Sequence, residues 1–290
     1  MVMESSRILL FFFYSILIHF VKPTIAQRDP YVQHDCYTTG NVTSNSTYRA
    51  NLNNLLSSLS SKTQMVNGFY NFSAGENSDK VNAIALCRAD LTSTDCRSCV
   101  NMSAHELLQL CPNQKEGIMW YENCTVRYSD RFIFGSMESE PMQVLISTTS
   151  TSNRILYNDP LRSFFNSLRK EASGLFGKFA NATFKVQNSF NIQDLTVYAL
   201  MQCTPDLTQR DCDDCLLQAQ DVITTCCNET VGARVLTPSC NLRYENSRFF
   251  YGNDEPPPSL SPLSSSSSVY KRYTVPNAYI LILLLYRFSC

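Results

Sequence analysis

Five cysteines recur at one fixed spacing, and this recurrence limits the possible folds more than any other feature of the chain. Cys87, Cys96, Cys99, Cys111 and Cys124 are followed by Cys203, Cys212, Cys215, Cys227 and Cys240, each 116 residues after its counterpart. Neighbours keep the same offset: Asp90-Leu91-Thr92 with Asp206-Leu207-Thr208, Asp95 with Asp211, Arg127-Tyr128 with Arg243-Tyr244. Arg131-Phe132 returns as Arg248-Phe249. Self-similarity of this kind marks a duplicated unit. Two modules are therefore expected, drawn at residues 29–135 and 142–251, after a targeting segment at 1–26 and before a Pro/Ser-rich linker and short apolar tail at 253–290.

Residues 1–26 carry the three parts of a secretory signal. A short region ends at Arg7, an apolar run follows from Ile8 to Val21, and Thr24 and Ala26 offer small side chains where the peptidase reads. The apolar run is 14 residues, short of the roughly 20 that cross a bilayer. A mature chain beginning at Gln27, exported to an oxidising compartment where disulfides persist, is expected. Seven Asn-X-Ser/Thr sequons, at Asn41, Asn45, Asn71, Asn101, Asn123, Asn181 and Asn228, are candidate glycosylation sites consistent with export. The formal net charge of -1 argues against a nucleic-acid partner, which calls for a basic excess.

Local patterning is alike in both copies. Leu52, Leu55, Leu56 and Leu59 share one helical face, and Leu161, Phe164, Phe165 and Leu168 repeat the spacing. A second helix starts near each C-x-x-C, with Cys215, Ala219, Val222, Ile223 and Cys226 on one side. Leu195, Val197, Ala199 and Met201 alternate with more polar residues, the period of a strand. Arg234–Leu236 and Asn241–Tyr244 flank a Thr-Pro-Ser turn and read as a hairpin. The fold class is α+β: two tandem domains, each an antiparallel sheet with two helices packed on it and stapled by disulfides.

The C-x8-C-x2-C pattern admits a disulfide framework, a zinc-thiolate knuckle or a redox pair. Export disfavours zinc, and a redox site needs only the C-x-x-C pair, whereas five cysteines are repeated. Six cysteines allow 15 connectivities, so spacing leaves the pairing open. Position 36 plus the offset is Ser152, so the second copy lacks the counterpart of Cys36 and has Cys226 beside Cys227 instead. That exchange makes sense if Cys36 bonds Cys111. Cys226, Cys227 and Cys290 are left unassigned.

The two C-x8-C-x2-C units and the stretch Gly232 to Glu245, GARVLTPSCNLRYE, resemble the plant ginkbilobin-homologous domain. A signal followed by two such domains resembles the cysteine-rich repeat secretory proteins. The resemblance implies two helices on a five-stranded antiparallel sheet. It implies bonds Cys36–Cys111, Cys87–Cys96 and Cys99–Cys124, and in the second copy Cys203–Cys212 and Cys215–Cys240. Ginkbilobin binds mannose through an Asn, an Arg and a Glu. Those positions fall on Tyr37, Ile118 and Ser129 in the first copy, which departs at all three. The second copy keeps Arg234 and Glu245, the candidate ligand-binding residues. Their bland reading is an ion pair across the hairpin.

Other chemistry is sparse. His34 and His105 are the histidines beyond the targeting segment, and both read as polar surface residues. Trp120 reads as core, and Asp213-Asp214 as a solvated helix start favoured by the helix dipole. No catalytic set, metal site or cofactor motif is recognised. The apolar stretch Ala278–Leu285 is too short to span a membrane. The expected function is a secreted, non-enzymatic binding module of the plant apoplast in defence or signalling. Its partner would be an unidentified extracellular protein or a cell-wall glycan. The alternatives are a mannose-type antifungal lectin and a thiol–disulfide oxidoreductase using a C-x-x-C pair.

Overall fold

The computed structural model describes residues 31–59, 68–148, 159–186, 195–226, 230–251 and 270–274. The targeting segment at 1–26, Ser152, Cys227, Asn228, Cys290 and most of the tail lie outside the described residues, as does the side chain of Cys226. The first module runs β1 (Tyr31–Cys36), α1 (Thr47–Leu59), β2 (Phe69–Ala74), β3 (Val81–Cys87), α2 (Ser93–Leu110), β4 (Gly117–Tyr121) and β5 (Cys124–Ser129). The second runs β6 (Gln143–Ser147), α3 (Asp159–Gly174), β7 (Phe179–Val186), β8 (Leu195–Cys203), α4 (Gln209–Cys226), β9 (Ala233–Leu236) and β10 (Cys240–Glu245). The sheets are antiparallel, ordered β1-β4-β5-β3-β2 and β6-β9-β10-β8-β7, so topology repeats along with sequence. The second sheet gains a sixth strand, β11 (Tyr270–Thr274), antiparallel to β6, from a tail that the sequence reading treated as linker and apolar remainder.

The helices cover one face of each sheet. On α1 the predicted leucines are buried together with Tyr48, against Val81, Ala83, Ala85 and Cys87 of β3. On α3, Leu161, Phe165 and Leu168 are buried against Val197, Ala199, Met201 and Cys203 of β8. Strand β3 is buried along its whole length: its second face, with Asn82, Ile84 and Leu86, is covered as well. Both α2 and α4 begin on the repeated Thr-x-x-Asp. Thr92 Oγ1 accepts from Asp95 N at 3.2 Å, and Thr208 Oγ1 accepts from Asp211 N at 3.1 Å. Each threonine hydroxyl donates in return to the aspartate carboxylate at 2.7 Å. These are N-caps, so the recurrence of Thr and Asp has a local structural cause.

The disulfides knit helix to sheet. Cys87 and Cys124 sit opposite each other on β3 and β5, and the C-x-x-C of α2 sends one bond to each: Cys87–Cys96 and Cys99–Cys124. In the second module Cys203 faces Cys240, and α4 does the same through Cys203–Cys212 and Cys215–Cys240. Cys36–Cys111 ties the end of β1 to the end of α2. Its 75-residue separation stabilises by about 4 kcal/mol in the chain-entropy account.

Cys36 pairs in register with Gly117 and Asp35 with Ile118. In the second sheet, Ile146 pairs with Ala233 and Leu145 with Arg234, the repeat counterparts of Gly117 and Ile118. The counterpart of Cys36 is therefore Ile146, which packs against the core, and not Ser152. Ahead of the β7–β8 connection the strands correspond at an offset of 110 (Cys36 to Ile146), and after it at 116 (Gly117 to Ala233). The six extra residues lengthen β7, β8 and the connection between them, by two each.

Candidate functional site

The polar chemistry of the described residues concentrates where the modules meet. Glu122 lies in the turn between β4 and β5, and three guanidinium groups converge on it. Arg234 of β9 donates from Nη1 at 2.9 Å and reaches the Tyr121 carbonyl from Nη2 at 3.3 Å. Arg243 of β10 donates to the other carboxylate oxygen, and Arg88 stands 3.8 Å away. Arg88 is itself held by Asp90 at 2.8 and 2.9 Å, and Asp90 accepts from the Tyr251 backbone at 2.8 Å. Arg243 also pairs with Glu245 at 3.1 Å and lies 4.1 Å above the ring of Phe249. Burial would raise the Glu122 pKa. The positive charge of Arg243, Arg234 and Arg88 outweighs this and lowers it to about 2, so the carboxylate is ionised throughout the physiological range.

Apolar contact continues the seam. Val32, Ile118 and Trp120 of the first module cluster with Leu145 and Leu236 of the second. Trp120, 1% exposed, donates from its indole N–H to the Thr237 carbonyl at 3.2 Å. Gln202 donates to the Cys87 carbonyl at 2.9 Å. Backbone N–H groups of Glu138 and Gly135 donate to Ser239 Oγ at 2.8 Å and to Asp206 at 2.7 Å. A small cavity at the seam is lined by Ile84, Leu86 and Arg127 of the first module and by Thr237 and Asn241 of the second.

The repeated arginine explains much of this network. In the first module Arg127, the counterpart of Arg243, is 2% exposed and bonds Glu116 at 2.8 Å and Glu138 at 2.6 Å. Glu116, also 2% exposed, is bonded too by Arg131 at 2.6 and 3.0 Å. Burial opposes ionisation of Glu116, but these bonds prevail and lower its pKa. The second module has Gly232 in place of Glu116, and the carboxylate beside its arginine is Glu245. A Cβ at position 232 would collide with Glu245 Oε2. The glycine makes room for an acid that has changed strands.

Arg234 and Glu245, the residues singled out in the sequence, are thus 9% and 2% exposed. Arg234 pairs with Glu122 of the first module and Glu245 with Arg243 of its own strand. The residue that sequence reading missed is Glu122; only its position within a Tyr-Glu-Asn-Cys turn could have drawn attention to it. Tyr37, Ile118 and Ser129 occupy the corresponding positions in the first module, with Tyr37 against Arg127, 6.0 Å from ring centre to guanidinium. Trp120 is core, at the seam. Asp213 is not a free helix-start charge but pairs with buried Arg169 of α3, while Asp214 faces Arg210 in the exposed i, i+4 position. His34 lies on β1 and His105 on the exposed side of α2. Among the described residues no group of three His, Cys, Asp or Glu could hold a metal, and no helix is long and apolar enough to cross a membrane.

Two modules, each with helix-to-sheet bridges and joined through a buried ionic and apolar seam, define a tandem cysteine-rich architecture. The chain belongs to the salt stress response/antifungal family, whose model matches residues 35–131 and 146–247. It is 38% identical over 221 residues to cysteine-rich repeat secretory protein 38 of Arabidopsis thaliana, covering 76% of this chain and 86% of that one. It is 40% identical over 229 residues to the Arabidopsis cysteine-rich receptor-like protein kinase 26, covering 79% of this chain but 34% of the kinase. The chain spans about a third of the receptor-like kinase it matches. The fold is shared with the tandem DUF26 ectodomain of the Arabidopsis cysteine-rich receptor-like protein PDLP8 (TM-score 0.62, 22% identity, 76% of this chain and 98% of that one).

Proposed function

We propose that this chain works outside the cell as a non-enzymatic double binding module in plant defence or signalling, recognising an extracellular protein or a cell-wall glycan. The observation that carries the reading is the commitment of the cysteines. All ten described cysteine side chains are engaged in five bridges, four between helix and strand and one from β1 to the residue that ends α2. Neither C-x-x-C pair is joined to itself, so an oxidoreductase use would have to dismantle the scaffold. Similarity to a relative named as a secretory protein supports the extracellular setting. A mannose site on Arg234 and Glu245 would have to displace Glu122 and Arg243 from them, so the seam role accounts better for both residues. The test is capture of partners from cell-wall extract on the mature protein, with thiol counting alongside. A reproducible partner and no reactive C-x-x-C thiol are expected. Two rapidly reacting thiols at Cys96/Cys99 or Cys212/Cys215, with turnover of a dithiol substrate, would overturn the reading.

A further inference from the structure

Each open sheet carries two edges, and unpaired strand edges invite pairing with other chains unless they are blunted. Two of the four edges here are visibly managed. The β1–β4 ladder is interrupted by a bulge between Tyr31 and Gln33, and the edge beyond β6 is the five-residue β11, which carries the adjacent charges Lys271 and Arg272. The other two, β2 and β7, have none of these devices. Their ladders with β3 and β8 run without a bulge over six and eight residues. The sequences Phe-Tyr-Asn-Phe-Ser-Ala and Phe-Ala-Asn-Ala-Thr-Phe-Lys-Val contain no proline and a single charge, Lys185. Among the described residues neither strand has a second neighbour. Uncharged segments rich in aromatic and β-forming residues are the kind that pair edge to edge.

Both strands do share one feature. Asn71 pairs in register with Ile84 and Asn181 with Leu200, and Ile84 and Leu200 are repeat counterparts. The sequons Asn71-Phe72-Ser73 and Asn181-Ala182-Thr183 therefore occupy the same position in the two modules, although the offset of 116 hides it. Tyr70, Phe72, Ala180 and Ala182 point to the helix-covered cores. Alternation puts both asparagines on the opposite face, where Asn71 is exposed and Asn181 half-buried.

We propose that N-linked glycans on Asn71 and Asn181 are the edge guards of the two sheets, shielding β2 and β7 from intermolecular strand pairing. The donor is a polyisoprenyl-diphosphate-linked oligosaccharide. Its sugar C1–O bond to the diphosphate breaks, a C1–Nδ2 bond to the asparagine forms, and the amide gives up one proton as the lipid diphosphate departs. The branched sugar then sweeps the space beside the edge strand and keeps another backbone from approaching. The inference rests on the extracellular setting proposed above, since only an exported chain meets that donor.

The test expresses the full chain in plant cells, maps glycosylated asparagines by peptide mass spectrometry on protein from medium and from lysate, and measures self-association by sedimentation. Expected are sugar at Asn71 and Asn181 in secreted protein, monomers at micromolar concentration, and at least roughly tenfold tighter self-association in Asn71→Gln/Asn181→Gln. The same shift is expected after enzymatic deglycosylation of the folded wild type, which covers the case of a variant that folds poorly. Asn101→Gln, on α2, is expected to leave association unchanged. Secreted protein bare at both sites would overturn the proposal and leave export standing. So would a deglycosylated chain as monomeric as the wild type, or an equal shift from Asn101→Gln. A chain retained in the cytosol with every sequon bare would overturn the proposal and the extracellular reading together.

Discussion

At Glu122 one carboxylate answers three arginines, so removing its charge leaves cations facing one another at a buried seam. Breaking a buried pair in this way costs several kcal/mol in a dry site. Solvent reaches about a quarter of this side chain, and Glu122→Gln is expected to cost about 2 kcal/mol, read as a lowered thermal midpoint. The pH dependence has a defined sign. A carboxylate lowered from 4.5 to about 2 contributes fully above pH 4.5 and loses its contribution as pH falls through 2. The wild-type midpoint is expected to fall from pH 5 toward pH 2, with a shallower slope in Glu122→Gln. A variant with an unchanged acid profile would remove Glu122 from this account. Ile146 offers a second residue-scale prediction. It stands where the first module has Cys36, and Cys227 stands at the repeat position of Cys111. Ile146→Cys is expected to form a third bridge in the second module, consuming one titratable thiol and stabilising by up to about 4 kcal/mol; an undiminished thiol count would refute the correspondence.

Among the elements, those legible in the sequence have strong local causes. The i, i+3, i+4, i+7 leucines fixed α1, and the aromatic version of that pattern fixed α3. The repeated Thr-x-x-Asp marks the start of α2 and α4 and is open to direct test: Thr208→Ala removes the cap and is expected to cost about 1 kcal/mol, seen as a lower midpoint of helical circular dichroism, with Thr92→Ala alike. What the sequence hid has physical reasons too. Strand β3 is buried on both faces, so it lacks clean alternation. The correspondence of β6 with β1 is obscured because six residues added across the β7–β8 hairpin change the offset, and a single-offset comparison points to Ser152 instead of Ile146. The strand β11 carries Tyr, Lys and Arg without a compelling period and is defined by what it pairs with. Arg234 and Glu245 are found through resemblance, but the partner of Arg234, Glu122, comes from a turn in the other module, a contact that no local pattern encodes.

At the scale of the whole molecule, the seam decides whether the two modules unfold together. Its centre is Trp120, the single tryptophan of the chain, buried beside Leu145 and Leu236 of the other module. The indole is therefore an intrinsic reporter of the seam, separate from the disulfide-held cores on the far sides of the sheets. Leu236→Asp places a charge in that apolar cluster while leaving the residues of the first module, the helices and the bridges unaltered. Burial of an unpaired carboxylate is expected to weaken the seam by about 3 kcal/mol. Tryptophan emission should then shift to the red at a denaturant concentration well below that at which helical dichroism is lost. The two signals should coincide in the wild type, as a cooperative unit requires. Acidification should separate them in the wild type as well, because protonating Glu122 loosens the ionic half of the same seam. Coincident transitions in Leu236→Asp would mean that the modules stay coupled through the linking segment alone, and that the buried contacts around Trp120 and Glu122 are not what joins them.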